Sequence, residues 1–232
     1  MKKNSKKKDW RWKRTKQSLN GKQNLQQKNK KQADLKTLEA YASQRIIRLK
    51  YLDEAGFCLW SPSSYSYIKK GEQKEIKQTK RRGRRLSIIG FLEKGISFDY
   101  GLVLGGIKSD AYIKLMDWQA AQLQDDFHKT GVITVIVQDN YTVHKSKKVK
   151  EKEKEWKAKG LEFFFLSPYS PELNQIEAEW HQLKTHKLAG RMFEDEYNLA
   201  QAVIQGIETR GHKNDYICQR FRFQSDKKVA KI

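Results

Sequence analysis

The chain has 232 residues, enough for one substantial domain with appendages and not comfortably for two. Its 48 lysines and arginines against 27 acids leave a formal charge of +21, far more than solubility needs, and a polyanion such as nucleic acid is the natural counterpart. Cys58 and Cys218 belong to no C-x-x-C motif, no run approaches 18 apolar residues, and the basic amino terminus has no apolar stretch behind it. These features argue against a zinc or disulfide framework, a membrane span and a secretion signal, and for a cytoplasmic protein.

In chain order, residues 1–31 carry 13 basic residues and one acid. So little apolar content cannot bury a core, and residues 1–32 read as a basic arm that orders on phosphates through residues such as Arg11, Lys13 and Arg14. Trp10 and Trp12 can dock on protein or stack on unpaired bases, and a merely solubilising tail is the plainer alternative. A compact domain is expected over residues 33–210, opening with a helix from Ala33 to Arg45. The apolar run Ile46 to Leu52 predicts a central strand with Asp53 at its exit, and Glu54, one residue on, faces the opposite side.

Residues 61–85 are polar and basic, and a loop this long is usually functional. Lys80, Arg81, Arg82, Arg84 and Arg85 are its candidate DNA contacts, with an ordinary surface loop as the alternative. Leu86 to Leu92 and Ser97 to Leu104 read as a hairpin, and Lys108 to His128 as a core helix carrying Tyr112, Leu115, Met116 and Leu123. Thr134 to Gln138 predicts a second central strand that delivers Asp139, and the loop behind it carries Asn140 and His144. A charged helix over Lys145 to Lys159 and a buried strand over Leu161 to Leu166 follow.

In Ser167 to Lys184, Ser170 is a good helix cap and Pro171 suits the first helical position. Leu173, Ile176, Trp180 and Leu183 then form an apolar face, with Asn174, Glu177, His181 and Lys184 as the polar stripe beside it. That stripe alone is an ordinary solvated edge. A last helix spans Phe193 to Arg210, and residues 211–232 read as a basic tail. Strands and helices in this order describe an α/β fold with a mixed central sheet flanked by helices. Acids at two strand exits and on a helix converge where open sheets hold ligands, and carboxylates without Cys or His suit Mg²⁺ or Mn²⁺ and phosphoryl transfer. A non-catalytic nucleic-acid-binding protein explains the charge equally well but leaves these acids without a task.

The segments LDEAGF (Leu52 to Phe57), RRLSIIGFL (Arg84 to Leu92), QDNYTVHKS (Gln138 to Ser146) and LEFFFLSPYSPELNQIEAEWHQLK (Leu161 to Lys184) resemble the DDE transposases of the IS630 group in the Tc1/mariner superfamily. The resemblance runs from about Trp10 to Arg210 in the family's order. It implies a ribonuclease H-like catalytic domain of a bacterial insertion sequence, with Asp53, Asp139 and Glu177 as catalytic residues and ligands of two Mg²⁺ ions that Mn²⁺ can replace. It further implies DNA strand cleavage and transfer, a homodimer holding double-stranded element ends, and a TA dinucleotide as target. Asn140, His144, Asn174, His181 and Lys184 become candidates for ligand support or phosphate contact, with His144 at the mouth of the site. The family's helix-turn-helix reader has no counterpart here, so a catalytic half with a separately encoded reader is a further alternative.

Overall fold

The computed structural model describes residues 20–60, 69–71, 75, 77–78 and 80–223. Arg11, Lys13 and Arg14 lie outside the described residues. One mixed sheet contains β1 (Arg48–Phe57), β2 (Leu86–Glu93), β3 (Ser97–Leu104), β4 (Thr134–Gln138), β5 (Leu161–Phe165) and β6 (Ile217–Phe221), in the spatial order β5-β4-β1-β2-β3-β6. β1, β4 and β5 run parallel, the β2–β3 hairpin is antiparallel to β1, and β6 joins β3 in parallel. Tyr51 pairs with Val137, so Asp53 and Asp139 each lie two residues beyond the same rung. Parallel register alone therefore brings these acids to one edge.

Alternation along the strands divides the core into two layers. Leu49, Tyr51, Ala55 and Phe57 of β1, with Val135 and Val137 of β4, pack under α1 (Leu25–Ser43), α4 (Ile176–Gln182) and α5 (Glu196–Asn214). Leu52 and Ile136, facing the other way, pack under α2 (Ser109–Thr130) and α3 (Lys147–Ala158). Trp180 and Trp156 anchor the respective layers and are both fully buried. Burial of each large side chain stabilises the sandwich by about 1.5–3 kcal/mol. Lys50 also enters the second layer, where its Nζ donates to Asp99 Oδ2 at 2.7 Å and to Gln119 Oε1 at 2.8 Å. Gln119 Nε2 donates in turn to Asp99 at 2.9 Å, so the buried polar groups satisfy one another.

Several elements differ from the sequence expectation, each for a tertiary reason. β1 does not stop at Leu52, because β2 pairs with it from Tyr51 through Phe57 and carries the strand past Asp53. α1 begins at Leu25, ahead of Ala33, because the Asn24 side chain accepts from the Gln27 amide at 3.0 Å. The continuous helix expected from Ser170 is broken into a 3₁₀ turn at Pro171–Leu173, an extended Asn174 (φ −95°, ψ 105°), α4, and a π-helical turn at Leu183–Leu188. Ser170 caps nothing, and its hydroxyl donates to the Pro168 carbonyl at 3.3 Å. Asn174 Nδ2 instead donates to the Leu52 carbonyl at 2.9 Å, which ties the interrupted segment to β1. Beyond Arg210, α5 continues to Asn214, and residues 217–221 are not tail but the edge strand β6.

Candidate active site

Where β1 runs on past the end of β4, a cavity of about 390 Å³ opens between Asp53, the exit of β4 and α4. Asp53, Asp139 and Glu177 all line it, together with Asn140 and Asn174. Asp53 is held from behind: Trp180 Nε1 donates to its Oδ2 at 3.0 Å. The indole fits because Asp53 pairs across the sheet with Gly90, where a methyl group would come within 2.9 Å of the Trp180 ring. Asp139 closes an Asx turn, its Oδ1 accepting from the Tyr141 amide at 2.9 Å. Asn140 donates to the Leu166 carbonyl and so joins the exit of β4 to that of β5. Glu177, on the first turn of α4, faces the strand acids from the helix layer.

The electrostatics of the cavity ask for positive charge. Burial pushes the Asp53 carboxyl up to about 7, and the negative charges of Glu177, Glu54 and Asp139 push in the same direction. Glu177 is also held above the usual carboxylate range, by burial and by Asp139, while Lys184 pulls it back. Among the described residues neither Asp53 nor Glu177 forms an ion pair. Two further oxygens, Ser167 Oγ and Asn174 Oδ1, are buried on lining residues without a hydrogen-bond partner. A donor set made only of oxygens, carrying excess negative charge, fits a hard divalent cation in chemistry. Among the described residues no three His, Cys, Asp or Glu side chains are gathered closely enough to enclose one ion, so the acids surround the cavity without meeting at a point.

The remaining candidates separate. His144 is not at the mouth: its side chain is buried behind Asp139, in contact with Glu54 on the far side of the sheet from Asp53, and it does not line the cavity. His181 and Lys184 are exposed on the turns that follow Glu177, and the Lys184 amine sits 5.9 Å from the centre of the Phe57 ring. Lys80, Arg81, Arg82, Arg84 and Arg85 are all exposed, and α5 holds their segment in place. Glu196, at the start of α5, pairs with Arg81 and accepts from the Arg84 amide at 2.9 Å, which keeps the Glu196 carboxyl below its usual range.

The cavity also has walls that composition and periodicity did not reveal. Tyr141 and Tyr169 line it and are about half exposed, and Tyr169 holds a left-handed backbone at φ 58°. A non-glycine residue keeps that conformation only when its surroundings enforce it. Gln23, just ahead of α1, donates to the Tyr169 carbonyl at 2.6 Å, and Lys28 pairs with Glu172 beside it. The start of α1 is thus fastened to the cavity's rim.

Residues 48–200 match the family model described as DDE superfamily endonuclease. The chain belongs to that family. Among solved structures, the catalytic domain of Mos1 mariner transposase shares the fold at TM-score 0.54 and 14% identity, covering 83% of this chain and 92% of that one. A Mos1 transposase paired-end complex with the left transposon end matches at TM-score 0.57 and 15% identity over 92% of this chain. A Mos1 paired-end complex with Mg matches at 0.56 and 16%. This DDE-family chain spans 66% of the length of the Mos1 transposase in the first of those complexes. No curated protein sequence matches it. The mixed sheet flanked by helices is therefore the ribonuclease H-like arrangement expected from the sequence. Among the described residues no helix is long and apolar enough to cross a membrane.

Proposed function

We propose that this chain is the catalytic part of a Tc1/mariner-type transposase of the IS630 group, one that cuts DNA strands at the ends of an insertion sequence and joins the freed 3′ ends to target DNA. The observation that carries the reading is the gathering of Asp53, Asp139 and Glu177 around one cavity in a DDE-family chain of charge +21. These carboxylates would hold Mg²⁺, or Mn²⁺ in its place, with Ser167 and Asn174 offering further oxygens. Divalent ions held there would activate a water or the DNA's own 3′ hydroxyl and offset charge at the scissile phosphate.

The protein's own contribution is position. Trp180 holds the Asp53 carboxylate on a central strand, and the Asx turn contributes to the placement of Asp139, which lowers the reorganisation that substrate binding demands. Lys184, beside Glu177, and the arginines braced by Glu196 provide positive charge for the phosphates on either side. Several of the matching Mos1 structures are paired-end or strand-transfer complexes, and by analogy two copies of this chain would hold two DNA ends. A helix-turn-helix region, fused or separately made, would read the end sequence.

The test is nicking of supercoiled DNA at low salt with Mg²⁺, Mn²⁺ or chelator. Activity that requires metal and disappears in Asp53→Asn, Asp139→Asn and Glu177→Gln, with salt-sensitive DNA binding retained, supports the reading. Undiminished nicking by any one of these variants removes that acid from the site.

A further inference from the structure

Glu54 and His144 form no part of the cavity wall, yet they lead to it. Glu54 follows Asp53 on β1 and so faces the opposite side of the sheet. There its Oε1 lies 2.9 Å from His144 Nε2. On the other side of the ring, Nδ1 lies 3.3 Å from Asp139 Oδ1 and 3.4 Å from the Asp139 carbonyl oxygen. The imidazole packs against Tyr112 at 4.8 Å between ring centres and meets Tyr141 edge-on at 5.9 Å, so it cannot turn without displacing both. Tyr112 is itself tied down, its hydroxyl donating at 2.8 Å to the side chain of Gln138, the residue before Asp139.

Both partners of the ring are hydrogen-bond acceptors, so a proton on each nitrogen satisfies both. Asp139 and Glu54 thus hold the buried ring from both sides. Asp139 needs such support, because it stands just past the end of β4 with its side chain about half exposed. The Tyr141 amide and the imidazole both address Oδ1, and together they set the plane of the carboxylate.

We propose that Glu54 and His144 are a buried positioning pair that orients the Asp139 carboxylate for metal binding. The dipeptide Asp53-Glu54 then serves the site twice, directly from one face of the sheet and through His144 from the other. This rests on the metal-site reading above. It also explains why a histidine that does not line the cavity lies in the same short segment as Asp139: the ring works from behind.

The experiment is Mn²⁺ titration of the full chain, counting free Mn²⁺ by electron paramagnetic resonance, with near-ultraviolet circular dichroism to confirm the fold. Glu54→Ala and His144→Ala are each expected to weaken Mn²⁺ binding about tenfold, the usual effect of losing a group that orients a ligand. His144→Asn, which keeps a donor near the Nδ1 position, should recover part of that loss. In an Asp139→Asn background, Glu54→Ala should add little, because its hydrogen-bonded route through His144 to Asp139 is gone. Wild-type affinity in folded Glu54→Ala and His144→Ala overturns the proposal. So does a full further loss in the Asp139→Asn background, which would mark general structural damage. If Asp139→Asn itself binds Mn²⁺ normally, the metal reading fails first and the positioning role falls with it.

Discussion

Three residues apart on β1, Lys50 and Asp53 are both drawn out of water, and the fold treats them in opposite ways. Around Lys50 every polar group has a partner: the ammonium meets Asp99, and Gln119 bonds to both. Around Asp53 the neighbours are an indole donor and more carboxylates, and no basic side chain among the described residues reaches ion-pairing distance. At the Lys50 knot the charge balance is complete within the chain. At the cavity it is completed only by something that binds. A buried acid is therefore not in itself a functional signal; an acid whose balance is left open is.

Breaking the closed knot should have the largest effect on stability. Lys50→Met leaves the Asp99 carboxylate buried without its cation, and a loss of about 3–5 kcal/mol is expected in urea unfolding. Removing both charges, Lys50→Met with Asp99→Leu, should recover most of it. An unchanged midpoint for the single variant would show that the knot is not as closed as its geometry indicates.

The open site should respond with the opposite sign. The folded protein holds the Asp53 carboxyl neutral up to about pH 7, whereas the unfolded chain ionises it near the ordinary value of about 4. Wild-type stability from this group is thus fully present below about pH 4, falls as pH rises toward 7, and is level above. In metal-free buffer at pH 8, Asp53→Asn should be more stable than wild type by on the order of a few kcal/mol, with the gain vanishing near pH 4. Thermal melts of both proteins across this range check it, and a pH-independent difference would mean that Asp53 ionises as freely in the fold as outside it.

The smallest effect sharpens the comparison at the surface. Arg82 is exposed in the segment braced by Glu196, and if it neutralises one phosphate, Arg82→Ala should lower the salt slope of DNA binding by roughly 1. Fluorescence anisotropy at several salt concentrations measures this. An unaltered slope would remove Arg82 from the DNA path.

The contrast also explains what was legible in the sequence. Both central strands showed as apolar runs, each ending near an acid, and the spacing of Leu173, Ile176, Trp180 and Leu183 correctly marked their buried face. Local pattern did not show that Asn174 would leave the helix to bond to Leu52, a partner 122 residues away. Nor did it show β6, whose short run from Ile217 to Phe221 becomes a strand only because β3 offers a free edge. His144 was found by its place in a motif, but its orientation depends on Glu54, 90 residues earlier. Residue type and spacing reveal which groups the chemistry needs; the side of the sheet from which each one acts is decided by packing.

The adjacency of Asp53 and Glu54 sets a rule of parity for the first strand. Because successive residues point to opposite faces, inserting a single residue between Arg48 and Lys50, with the start of the strand held in register, would turn every later side chain to the other face. Asp53 would move to the position that faces His144, Glu54 would turn to the cavity's side one position further on, and Lys50 would be lifted out of its knot in the same step. Leu49 and Leu52 can be exchanged within apolar limits, but neither Lys50 nor the length of the segment can change so freely. An odd change in residue count ahead of Lys50 damages the closed charge network and the open one together, so the strand acts as a ruler for both.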